Sequence, residues 1–140
     1  MQLFNQLVVA AMPLVPKNVV KIVAKRYIAG SALQDAVRVT SNLMSTGIGS
    51  TIDVLREFVT DRARALHETS MSRAVVDAID ANALDSYLSI KPTSLGLGID
   101  VDFAYENIVG VVAAARERGV FVRMDMENTP YTDATLDTYR

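Results

Sequence analysis

Three charged residues stand at one pitch along this chain: Glu57, Lys91 and Asp125, 34 residues apart in each case. A carboxylate, an ammonium and a second carboxylate brought to one place can hold a proton, stabilise a cation or present an amine nucleophile. The plainer reading is that such charges neutralise one another as interior ion pairs, for instance Asp53 with Arg123. Other candidates carry less chemistry. His67 is the single histidine and the chain has no cysteine, so no nitrogen or thiolate set for a metal presents itself and His67 reads as a solvated helix residue. Gly96-Leu97-Gly98 lacks the third glycine of a dinucleotide fingerprint and does not lead from a strand directly into a helix, so it reads as a loop. Asp100 and Asp102 read as a helix cap and first-turn charge, Glu127 as a loop or supporting acid, and Tyr27 and Tyr131 as packing or loop residues.

The equal pitch asks for repeated elements. Ser31-x-x-Gln34 is a capping box, and Leu33, Ala36, Val37, Thr40 and Leu43 recur at helical spacing up to Gly47, predicting a helix over 31–46. Ile48 to Leu55 alternates as a strand. A helix follows over about 59–79, with Ala63, Leu66, Ala74, Val75 and Ile79 as its inner face. Ser86 to Lys91 is a second strand, Pro92 to Gly98 a loop, and Asp102 to Arg118 a helix with Ala104, Ile108, Val111, Val112 and Ala115 inward and Gly119 at its end. Val120 to Asp125 is a third strand, and Thr132 caps a helix starting at Asp133.

Alternation of strand and helix means a parallel α/β sheet. A (β/α)8 barrel of about 250 residues averages about 31 residues per unit, so the pitch suits a TIM-like barrel, although a doubly wound sheet shares it. Residues two apart share a strand face, so Tyr87, Ser89 and Lys91 lie opposite Leu88 and Ile90, and Phe121, Arg123 and Asp125 opposite Val122 and Met124. With the apolar faces on the helices, Glu57, Lys91 and Asp125 come to the C-terminal mouth, where barrel active sites lie. The expected organisation is an N-terminal helical segment over 1–46, with Pro16 in a helix first turn, followed by a partial barrel over 47–140. Three units do not close a barrel, so the chain is expected to be a truncated N-terminal part of a larger enzyme with an open edge after the third strand.

Composition bounds the rest. Half of the 140 residues are apolar and the formal net charge is −2, which excludes disorder and leaves no basic footprint for nucleic acid. The apolar run Leu7 to Val15 follows no positive charge and is broken by Pro13 and Pro16, so it does not read as a secretory signal or a spanning helix. The lack of cysteine fits a reducing compartment.

Four segments carry a resemblance: Arg26-Tyr27-Ile28-Ala29-Gly30, Gly47-Ile48-Gly49-Ser50-Thr51-Ile52-Asp53-Val54-Leu55-Arg56-Glu57, Ser89-Ile90-Lys91-Pro92-Thr93-Ser94-Leu95-Gly96 and Val120-Phe121-Val122-Arg123-Met124-Asp125-Met126-Glu127-Asn128. In order and spacing they resemble the bacterial monofunctional proline dehydrogenases. The resemblance implies a distorted (β/α)8 barrel that oxidises L-proline to Δ1-pyrroline-5-carboxylate, with hydride transfer to FAD and electrons passed to a quinone. It implies that Asp125 is the catalytic aspartate, that Lys91 contacts substrate, that Glu57 stands at the mouth on the substrate side, and that Met126 touches FAD through its backbone. It also implies a cytoplasmic protein with peripheral contact at the inner face of the membrane. The family's paired carboxylate-gripping arginines and its main FAD-binding segments lie on later elements and are not among these residues. Pro92, Arg56 and Asn128 depart from the residues common in the family. Two alternatives stay open beside it: a barrel enzyme of other, aldolase-like chemistry using Lys91 as an amine nucleophile, and a non-catalytic oligomerisation module.

Overall fold

The structure, a computed structural model, describes residues 28–30 and 32–140. The helices expected before Ser31, and Ser31 itself in the capping box, lie outside the described residues. The chain divides into a unit over 1–36 and a unit over 37–140, and the second carries the sheet.

Helix α1 spans Leu33–Ser45 and stops where Gly47 adopts φ +78°, a backbone that a Cβ would strain. Strand β1, Ser50–Asp53, follows. Helix α2, Arg62–Ala81, begins at Asp61, whose side chain accepts a hydrogen bond from the Ala63 amide at 2.9 Å. Strand β2 is Ser86–Ile90 and helix α3 Val101–Glu117. Asp100 caps α3 by accepting from the Phe103 amide at 2.8 Å, the role expected of it. Strand β3, Val122–Met124, is followed by a 3-10 turn over Thr129–Tyr131 and helix α4, Thr132–Tyr139.

Among the described residues the strands form one parallel sheet in the order β1-β2-β3. Ile52 pairs with Leu88 and Leu88 with Val122, while Asp53 pairs with Ser89 and Ser89 with Arg123. Because side chains alternate, this register makes two rows of opposite character. Ile52, Leu88 and Ile90 are buried on the helix side; α2 packs on β2 and on α3. The other row carries Asp53, Ser89, Lys91, Arg123 and Asp125. The strand ends run past the regular elements: Leu88 donates its amide to Phe121 O at 3.1 Å and Asp125 donates its amide to Ile90 O at 2.9 Å. Asp125 is thereby anchored by its own backbone beside the end of β2.

Several expected details are corrected. Ala63, Leu66 and Val112 are exposed rather than inward. The inner face of α2 is Ala65, Glu68, Thr69, Ser72, Val75, Val76 and Ile79. Thr69 and Ser72 donate their hydroxyls to Ala65 O and Glu68 O, so polar residues enter the interior satisfied within their own helix. Thr132 is the first residue of α4 rather than its cap, and its hydroxyl bonds to Asn128 O at 3.4 Å. Among the described residues no helix is long and apolar enough to cross a membrane.

Candidate active site at the carboxyl ends of the strands

Glu57 lies four residues beyond β1, Lys91 one beyond β2 and Asp125 one beyond β3. The parallel register brings these three ends to one side of the sheet. Lys91 Nζ stands 3.2 Å from Glu57 Oε1, 3.4 Å from Asp125 Oδ2 and 4.0 Å from Asp53 Oδ2. The expected triad is therefore a contact cluster, with the ammonium in the middle and a carboxylate from each neighbouring strand end. Met126, the next residue, is exposed.

Asp125 is further held by Ser89, whose hydroxyl donates to Oδ1 at 2.8 Å, and by Arg123, whose Nε donates to the same oxygen at 2.9 Å. Arg123 also donates from Nη2 to Ser89 Oγ at 3.1 Å and lies over the Tyr87 ring at 5.7 Å. The pairing of Arg123 with Asp53 is not formed. Ser89 stands between them in the register, and Asp125, two residues along the same strand on the same face, is the nearer acid.

Electrostatics separate the acids. Partial burial works against the charged form of Asp125, but hydrogen bonds from Ser89 and Arg123, the Arg123 charge and Lys91 outweigh it and hold the carboxyl below the ordinary range. Asp53 is raised, first by burial and then by the negative charges of Asp125 and Glu57, against the pull of Lys91 and Arg123. Burial disfavours the Lys91 ammonium, yet its hydrogen bonds to Glu57 and Asp125 and the charge of Asp53 raise it above an ordinary lysine. The cluster thus holds a firm carboxylate at Asp125 beside a firm cation at Lys91.

Ser89, Asp53, Thr93 and Glu127 complete the arrangement and were not among the four candidate site residues. Ser89 and Asp53 share the polar strand face with Lys91 and Asp125, which is a signal in the period-two pattern. Glu127 continues the series Arg123, Asp125 by another step of two, but there the strand has ended. Its carboxylate turns sideways and accepts from the Thr93 amide and hydroxyl, each at 2.8 Å.

The loop after β2 is shaped by close approach. Gly96 has φ +108°, and a Cβ there would stand 2.7 Å from the Phe103 ring. Gly96-Leu97-Gly98 therefore serves the packing of the loop on α3, in keeping with its reading as a loop. His67 lies exposed on α2.

No protein-family model matches the chain. It is 32% identical over 117 residues to proline dehydrogenase 1 of Bacillus subtilis subsp. natto, covering 84% of this chain and 39% of that protein. It is 32% identical over 120 residues to proline dehydrogenase 2 of the same organism, covering 86% and 40%. The proline dehydrogenase of Deinococcus radiodurans is 31% identical over 120 residues, covering 84% and 39%. The chain thus spans about two fifths of the length of the curated relatives it matches. In structure it resembles proline utilization A (PutA) of Bdellovibrio bacteriovorus inactivated by N-propargylglycine, with a TM-score of 0.78 at 20% identity, over 88% of this chain and 15% of that one. That likeness concerns the fold. The resemblance drawn from the four segments stands: this chain is a homologue of bacterial proteins named proline dehydrogenase.

Proposed function

We propose that this sequence forms the first three strand units of a (β/α)8-type barrel in a flavin-dependent proline dehydrogenase. Its Glu57–Lys91–Asp125 cluster then lines the site where L-proline is oxidised to Δ1-pyrroline-5-carboxylate. The observation that carries the proposal is the Lys91 ammonium, held between carboxylates from the ends of the two neighbouring strands. Oxidation of a secondary amine at the adjacent carbon leaves a cationic iminium. Asp125, kept ionised by Ser89, Arg123 and Lys91, offers the negative charge that stabilises it. Lys91 orients Asp125 and balances the negative charge of the cluster. Glu57 is half exposed and stands on the solvent side of Lys91, where it borders the entry of substrate.

The residues present fit a flavin at this mouth. Met126, exposed directly beside Asp125, would touch it through its backbone, and the Lys91 ammonium would offer positive charge to its reduced form. When bound, FAD supplies the hydride acceptor for the substrate carbon, with a quinone as the onward acceptor. A quinone dissolved in the bilayer gives the proposal a location, a cytoplasmic protein meeting the inner face of the membrane peripherally. The aldolase-like alternative is disfavoured, because an amine nucleophile must be neutral and the acids around Lys91 favour its ammonium form.

The test is anaerobic bleaching of the flavin by L-proline in flavin-loaded protein carrying this sequence. Asp125→Asn preserves size and removes the charge, so flavin reduction should slow by about 10²–10³-fold, the loss typical of one electrostatic stabiliser. Lys91→Met should weaken substrate binding and flavin reduction together. Parental rates and affinity in both variants overturn the proposal.

A further inference from the structure

We infer that Thr93 and Glu127 are positioning residues that set the spacing of Glu57, Lys91 and Asp125 by clamping together the three loops that leave the strands. The positioning role rests on the function proposed above; the clamp itself rests on contacts. Thr93 is fully buried and Glu127 nearly so. Glu127 Oε1 accepts from both the amide and the hydroxyl of Thr93 at 2.8 Å, which joins the loop after β3 to the loop after β2. The same hydroxyl accepts from the Phe58 amide at 3.4 Å, and the Thr93 carbonyl accepts from the Val59 amide at 3.3 Å, which adds the loop after β1.

Each member of the clamp follows a site residue by one or two positions. Phe58 follows Glu57, Thr93 stands two after Lys91, and Glu127 two after Asp125. A displacement of the clamp is therefore passed to the charged cluster along a single short stretch of backbone. Phe58 adopts φ +53°, a left-handed conformation that a bulky residue keeps only when its surroundings impose it. The bonds from Phe58 and Val59 to Thr93 are that imposition. On its other side Glu57 is steadied by Arg56, whose Nε lies 3.2 Å from the buried carboxylate of Glu68 on α2. A buried carboxylate with charge-assisted bonds to an amide and a hydroxyl is a stiff joint, because losing a partner leaves it uncompensated.

Lysine titration reads the clamp without proline or flavin, so loss of the functional proposal and loss of this one are separable. With lysine labelled at Cε, the Lys91 signal is assigned by its disappearance in Lys91→Met, and its midpoint reports how closely the acids of the cluster surround it. Thr93→Val keeps the shape and removes the hydroxyl; Glu127→Gln keeps the size and removes the charge. In both, the midpoint should fall toward that of an ordinary lysine, and the Val59 amide should exchange at least about tenfold faster. Thr93→Ser, which restores the hydroxyl, should titrate as the parent does. Val76→Ala, a core truncation away from the clamp, should lower the melting temperature and leave Lys91 unchanged. If Glu127→Gln does not fold, Glu127→Asp keeps the charge with a shorter reach and is read in the same way. Folded clamp variants with the parental Lys91 midpoint overturn the inference, as does Val76→Ala if it moves that midpoint equally.

Discussion

Asp53 is the acid whose ionisation this fold opposes, and Asp125, in the same cluster, is the one it favours. The signs follow from linkage. Asp125 titrates lower in the fold than unfolded, so its ionised form contributes stability above its unfolded value of about 3.9, lost as pH falls through the folded value. Asp53 titrates higher in the fold, so its ionisation costs stability as pH rises through the raised value. Lys91 contributes stability that is full below its unfolded value and lost as pH rises through its raised folded one. Asp53→Asn should therefore raise the melting temperature at pH 7 by a few degrees, a gain that disappears in acid, where Asp53 is protonated in any case. Asp125→Asn should lower it at pH 7. Thermal melts of both variants at the two pH values check this, and a destabilised Asp53→Asn at pH 7 contradicts it. An acid retained at a cost in stability is what a functional site looks like. The parity of the strands was enough to gather Lys91, Asp125 and Asp53 on one face. The partner of Arg123 was not legible, because it depends on the lateral register that puts Ser89 between Arg123 and Asp53.

At the scale of elements, α3 is the brace for the loop that carries Lys91. Asp100 caps it, the Arg62 guanidinium lies 4.4 Å above the Phe103 ring, and Gly96 lets that ring approach the loop backbone. Asp100→Ala should cost about 1 kcal/mol through the lost cap. Gly96→Ala should cost more, about 1–3 kcal/mol, because it adds a clash with the ring to a backbone conformation that alanine resists. Urea unfolding midpoints measure both, and a Gly96→Ala protein as stable as the parent would show that the loop moves freely on α3. The cap was readable from Asp100 and the following apolar spacing. The buried face of α2 was not, since hydropathy cannot mark Glu68, Thr69 and Ser72 as interior. Thr69 and Ser72 bury because their hydroxyls bond to carbonyls one turn back, and Glu68 because Arg56 and Arg64 neutralise it at 3.2 and 3.1 Å. One of those arginines comes from the loop after β1, a partner that the periodicity of the helix alone does not reveal.

For the molecule as a whole, the repeated order of strand and helix was legible because punctuation and period recur with each unit, and the parallel sheet follows from that order. What lies beyond β3 does not follow, because only neighbours within the described chain leave a register to read. Along that side a groove of about 950 Å³ runs between β3, α3 and α4. Tyr105, Val109 and Val112 of α3 line it, as do Phe121 and Val122 at β3 and Tyr139 of α4. Phe121 and Tyr139 are 67% and 77% exposed. An apolar surface of this kind beside a strand edge favours association. The 140-residue chain by itself should therefore self-associate reversibly, its average sedimentation coefficient rising with concentration. Val109→Lys places a charge in the groove without touching the charged cluster at the strand ends, and should shift the association to at least about tenfold higher concentration, equivalent to about 1.4 kcal/mol. Sedimentation velocity across a concentration series distinguishes the outcomes. A single monomeric species for the parent at every concentration would mean that the chain covers this face by itself, and equal association of Val109→Lys would move the contact to another surface.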